Sequence, residues 1–129
     1  MNKLDKESVI GISALLVHAA RIDEIYSDHE KDLIKNFIKS YLQEENVDEI
    51  LKKAEEIENN SNQLLNYTSI IKEKTIEIKN DIIEHLWKVV ISDNTVDQYE
   101  SNLMRRICGL IYFPDKECGE IKLRLINKK

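Results

Sequence analysis

Slid along itself by 70 positions, the distance from Leu16 to Leu86, the chain repeats an apolar helix, an acidic turn and a second apolar helix. Leu16 falls on Leu86, Asp23 on Asp93, Glu30 on Glu100 and Leu33 on Leu103. Ala19 and Ala20 fall on Val89 and Val90, Ile34 on Met104, and Phe37 on Ile107. A helix pair of this size cannot cover its own apolar stripe. The pairs around 15–38 and 85–108 are therefore expected to share one core, related by an approximate two-fold axis.

Helical spacing runs through the rest of the chain, and no segment alternates with the period of a strand. Ile12, Leu15, Leu16 and Ala19 mark a first helix from about Lys6 to Arg21, and Leu33, Ile34, Phe37, Ile38 and Tyr41 a second from about Asp28 to Leu42. Val47, Ile50, Leu51, Ala54 and Ile57 form the stripe of a third helix. The polar run Glu58 to Asn62 reads as a loop. A fourth, shorter helix carries Leu64, Leu65, Thr68 and Ile71. A fifth ends near Ile91 with Ile82, Leu86, Val89 and Val90 inward. A sixth carries Leu103, Ile107, Leu110 and Ile111. Phe113 and Pro114 interrupt the pattern, and Asp115 is expected to cap a last helix with Cys118, Ile121 and Leu125 inward. The expectation is a single all-α domain over 1–129, a bundle of about seven helices in two related halves.

One Pro and three Gly argue against a turn-rich β fold, and 33% charged against 42% apolar residues suits a globular helical protein. The net charge of -5 opposes nucleic acid and anionic lipid surfaces as partners. Val9 to Ala20 resembles the apolar part of a signal peptide. Asp5 and Glu7 offset Lys3 and Lys6 in its flank, however, and it is shorter than the ~20 apolar residues a membrane span needs, so it reads as a core helix. Cys108 and Cys118 have no metal-finger spacing and read as buried thiols of a reducing, cytoplasmic compartment.

The repeated turns are Asp23 to Glu30 and Asp93 to Glu100. Within them, Ser27-x-x-Glu30 and Asp97-x-x-Glu100 have the spacing of a capping box, in which the cap side chain and the third helical residue satisfy each other's amides. Tyr26 and Val96 stand where a hydrophobic staple would pack. Capping accounts for Glu30 and Glu100 but not for Asp23 and Asp93. Those two end the preceding helices, where negative charge opposes the helix dipole. They either bond amides in the turn or hold a cation. The candidate metal ligands are thus Asp93, Asp97, Glu100, Asp23 and Glu30. Neither turn alone supplies the six to eight oxygens that Ca²⁺ takes, and the spacing is not that of an EF-hand. His29 lies in the first turn and could join Asp23 or Glu30 around Zn²⁺, but no second His or Cys accompanies it. His18 and His85 sit beside apolar stripes and read as partly buried, satisfied side chains. No catalytic residue is assigned. The chain has no glycine-rich phosphate loop, no triad-like arrangement and no HExxH motif.

The stretch Ala20-Arg21-Ile22-Asp23-Glu24-Ile25-Tyr26-Ser27 with Glu30 resembles the A-x-A-D-G-x-I-s-x-x-E signature of the TerB-like family. Leu86-Trp87-Lys88-Val89-Val90, through Asp93, Val96 and Asp97 to Glu100, Leu103, Met104, Arg105, Arg106 and Ile107, is similar to the same family's LW-x-v-A-x-a-D-G-x-l-d-x-x-E-x-x-l-i-r-r-i. The resemblance covers most of the chain and implies a compact bundle of about seven helices. It further implies a cytoplasmic acidic module linked to tellurite resistance and related stress or phage-defence systems, with divalent-metal binding suggested for the acidic residues. Similar domains occur in membrane-anchored co-chaperones. The family's glycine after each Asp is replaced here by Glu24 and Asn94. Asn tolerates a left-handed turn and Glu resists it, which favours Asp93 over Asp23 for any cation.

The leading expectation is a non-enzymatic accessory module that binds another protein, with no cofactor, no nucleic acid and no direct membrane insertion. A divalent-metal-binding or metal-sensing protein is the first alternative. An enzyme using carboxylates in the cleft between the halves is the second.

Overall fold

The computed structural model describes residues 4–22, 26–43, 46–60, 65–91 and 98–127. Seven helices stand among them: α1 (Lys6–Ala20), α2 (Asp28–Tyr41), α3 (Val47–Asn60), α4 (Leu65–Lys72), α5 (Ile76–Val90), α6 (Gln98–Leu110) and α7 (Asp115–Asn127). No strand occurs among the described residues, so the chain is an all-α bundle around one apolar core.

The helix bounds carry the repeat. Moved by 70 positions, α1 lands on α5 end for end, and the first residue of α2 lands on that of α6. The N-caps correspond as well: Asp5 accepts from the Ser8 amide at 2.8 Å, and Thr75 accepts from the Ile78 amide at 3.3 Å. At the far ends, Arg21 and Ile91 share one backbone conformation, with φ/ψ of -88/-1 and -87/-2. α1 packs on α2, α3, α4 and α5, and α5 packs on α1, α2, α6 and α7. The halves are not full copies, because α4 is inserted between them and packs on both α1 and α6.

Of the 15 residues of α1, only Lys6, Glu7, Ile10 and His18 escape full burial. The signal-like stretch is therefore the central helix of the bundle, apolar on every side because it has neighbours on every side. Among the described residues no helix is long and apolar enough to cross a membrane. Gly11 lets α4 approach, since the place its Cβ would take is filled by the Ile70 side chain. Gly11→Leu is expected to lower stability by about 1–3 kcal/mol through overpacking. A denaturant midpoint equal to the parent's would show that α4 can step aside.

Three sequence expectations are corrected. Glu58 to Asn60 are not a loop but the last turn of α3, and Glu58 is buried while Ile57 is 40% exposed. Arg21 and His18 on α1 reach that face and make it polar, so the glutamate turns inward and the isoleucine outward. In α4 it is Tyr67, Thr68 and Ile71 that face the core, and Leu65 is 61% exposed; Leu64 lies outside the described residues. Helix α7 starts at Asp115 rather than after it. Pro114 takes the cap position, where its fixed φ suits the helix entry, and its carbonyl accepts from the Cys118 amide at 3.1 Å.

Between α6 and α7 the chain turns through Tyr112 at φ 60. The Phe113 amide donates to the Cys108 carbonyl at 2.9 Å and the Tyr112 amide to the Gly109 carbonyl at 3.4 Å. This is a Schellman ending with tyrosine where glycine is usual. Buried Phe113 anchors it, and the exposed Tyr112 ring lies 5.1 Å from the Lys72 ammonium.

Candidate functional site

The first acidic turn forms the expected capping box. Ser27 Oγ accepts from the Glu30 amide at 3.1 Å, and Glu30 Oε1 accepts from the Ser27 amide at 2.8 Å and from the Ser27 hydroxyl at 3.1 Å. Glu30 is buried, and so is Glu100. Each is the third residue of its helix, so the repeat places both carboxylates at the same point of α2 and α6. Of the remaining candidate ligands, Asp23, Asp93 and Asp97 lie outside the described residues, as do Val96 and the substituted glycine positions Glu24 and Asn94. His29 is exposed, whereas Glu30 beside it is buried. Among the described residues no group of three or more His, Cys, Asp and Glu is arranged to hold a metal ion.

Replacing Ser27 by Ala removes the acceptor for the Glu30 amide and is expected to cost about 1 kcal/mol of stability. Chemical denaturation measures it, and an unchanged midpoint would mean that water caps α2 equally well.

Tyr26, just before the cap, packs on the edge of the core and joins α2 to α3. Its hydroxyl donates to Glu55 Oε2 at 2.7 Å. The Arg21 guanidinium lies 5.1 Å and the Lys31 ammonium 5.0 Å from its ring centre. Tyr41 does the same for α2 and α5, donating to Asp81 Oδ2 at 2.5 Å. Burial first, then the bond to a carboxylate, pushes both phenols well above the ordinary tyrosine value of 10.0. A folded-state pKa raised in this way means that the native chain holds its protons when the unfolded chain has lost them. The contribution is complete below the unfolded value and is lost as pH rises above about 10. Stability is therefore expected to fall between about pH 9 and about pH 11, and less steeply in a Tyr26→Phe, Tyr41→Phe double variant. Equal slopes in the two proteins would contradict this.

A polar cluster that the sequence reading did not single out lies next to the first turn. Arg21 Nη1 donates to Glu58 Oε1 at 2.6 Å and to Asn59 Oδ1 at 2.6 Å, and His18 Nδ1 stands 3.4 Å from Glu58 Oε2. The cluster fastens the end of α1 to the end of α3. Its only sequence signal is that Glu58 continues the spacing of Leu51 and Ala54, which polarity obscured. His85 is satisfied as expected: Nδ1 lies 2.8 Å from the Asp81 carbonyl, and the ring stands edge-on to Phe37 at 5.1 Å.

What these side chains do chemically is close helix ends and tie helices together. In a comparison of sequences, the family profile described as Tellurite resistance protein TerB matches residues 10–123. No curated protein and no solved structure matches the chain.

Proposed function

Because the chain belongs to the tellurite resistance protein TerB family, we propose that it is a non-catalytic, cytoplasmic accessory module that works by binding another protein in a stress response of the tellurite-resistance kind. The observation that supports this reading is the state of Glu30. Its carboxylate accepts from the amide and hydroxyl of Ser27 at the start of its own helix, which supports an architectural role for the repeat in that turn. The binding surface then lies on the outside of the bundle, and the acidic balance of the chain disfavours nucleic acid and anionic lipid.

Two measurements test the proposal. Deletion of the gene is expected to sensitise cells to tellurite or a related stress, and the chain supplied in trans to restore growth. Normal growth of the deletion strain under those stresses would remove the stress role. Calorimetry with Ca²⁺, Mg²⁺, Mn²⁺ and Zn²⁺ is expected to give no heat of binding. Binding that disappears in Asp93→Asn would replace the reading with a divalent-cation site drawing on Asp93, Asp97 and Glu100. So few carboxylates imply an affinity no better than about 10⁻⁴ M.

A further inference from the structure

Helices α5, α6 and α7 enclose a cleft of about 500 Å³, lined by Trp87, Ser101, Arg105, Asp115, Cys118 and Lys122 among others. Cys118 sits at its wall, nearly covered, and accepts from the Trp87 indole N–H at 3.3 Å. Lys122 stands over the same indole ring at 5.4 Å. Cys108 on α6 is fully buried, and the two thiols lie near enough for each to shift the other's titration. Both are free. The Schellman turn holds this pair together, because the Phe113 amide that leads into α7 is bonded to the carbonyl of Cys108 itself.

Buried structural cysteines are ordinarily inert because nothing reaches them and nothing favours the thiolate. Here neither condition holds. The cleft brings small solutes to Cys118, and the indole N–H and the Lys122 ammonium favour negative charge there against the Asp115 carboxylate. We propose that Cys108 and Cys118 are a reversible dithiol, which a hydroperoxide entering the α5–α6–α7 cleft converts to an intramolecular disulfide, with Cys118 attacking first and Cys108 resolving.

The two sulfurs divide the work as such a pair must. The neighbouring Cys108 thiol, helped by Trp87 and Lys122 against burial and the Asp115 carboxylate, holds Cys118 below the ordinary thiol value, while the same neighbour contact, burial and Asp115 push Cys108 up. The Cys118 thiolate attacks the peroxide and the O–O bond breaks. Sulfur keeps one oxygen as a sulfenic acid, and the other leaves with the thiol proton as water or an alcohol. Cys108 sulfur then attacks Cys118 Sγ and displaces hydroxide, which takes the Cys108 proton and leaves as water. Two thiols have given two electrons to one peroxide.

The sole tryptophan touches the reacting sulfur, so it reports the reaction. The reduced, full-length chain is treated with hydrogen peroxide under native conditions, remaining thiols are alkylated, and intact mass and tryptophan fluorescence are recorded. Expected for the parent is a monomer that has lost two hydrogens and both alkylatable thiols, with quenched fluorescence that a dithiol reductant restores. Expected for C108S is oxygen added at Cys118, and for C118S an unreacted Cys108 over the same interval. A helical parent that keeps both thiols until denaturant is added overturns the proposal. So does a disulfide between two chains, or Cys108 in folded C118S oxidising as fast as the parent pair. If either variant loses its helical circular dichroism, the parent's thiol count and mass decide alone.

Discussion

Phe37→Ala is expected to lower the stability of the bundle by about 3–5 kcal/mol, the range for emptying an aromatic site in a packed core. Phe37 has no exposed surface and lies where α2 meets α5. Its ring centre is 5.2 Å from that of Tyr41 and 5.1 Å from that of His85. Both neighbours are also held by Asp81, Tyr41 through its hydroxyl and His85 through the backbone carbonyl, so neither can swing in to fill the void. The cost therefore belongs at the upper end of the range, because it grows with the cavity that remains. Equilibrium unfolding in urea measures it. A loss below about 1 kcal/mol would mean that α2 and α5 collapse onto each other despite those two bonds.

Glu58→Ala is expected to cost about 2 kcal/mol, for a different reason. Here no large volume is lost. The Arg21 guanidinium loses a carboxylate at 2.6 Å and keeps Asn59 and the Tyr26 ring. Arg21 is about one-third exposed, so water recovers part of the loss, which holds the figure below that for breaking a fully buried pair. Glu58→Leu provides the control. A well-packed apolar side chain avoids the desolvation of the carboxylate, so this variant should be more stable than Glu58→Ala. If the two variants are equally unstable, the contribution of Glu58 is electrostatic throughout. If Glu58→Ala matches the parent, the cluster does not fasten α1 to α3.

The parts of the fold that could be read from the sequence are those in which apolar spacing and polarity agree. Ile12, Leu16, Ile34, Phe37, Ile82, Leu86 and Ile107 repeat at helical intervals and are all fully buried. Ser27 and Glu30 announce their box because capping depends on residue type at a fixed short distance, which a sequence displays directly. What stayed hidden depends on partners far along the chain. Glu58 is inward only because Arg21 and His18, on another helix, face it. Leu65 is outward although its residue type argues for burial, and Tyr67 takes the core position instead. Cys108 and Cys118 were legible one at a time as buried thiols. Their contact required the Tyr112 turn, whose positive φ no tyrosine advertises. The acidic repeat was visible as a pattern, and the structure adds that its glutamates are covered rather than displayed.

The central place of α1 has a consequence for synthesis on the ribosome. Its partner α5 lies 70 positions further along the chain, and α4, the neighbour that enters beside Gly11, comes only shortly before α5. At the usual elongation rate of about 5–20 residues per second, roughly 4 to 14 s separate the emergence of α1 from that of α5. Until α4 emerges, near the end of that interval, the most apolar helix of the protein has only α2 and α3 to cover it. Nascent chains stalled before α5 should therefore be captured by chaperones that bind apolar segments, and chains stalled after α5 should be released from them.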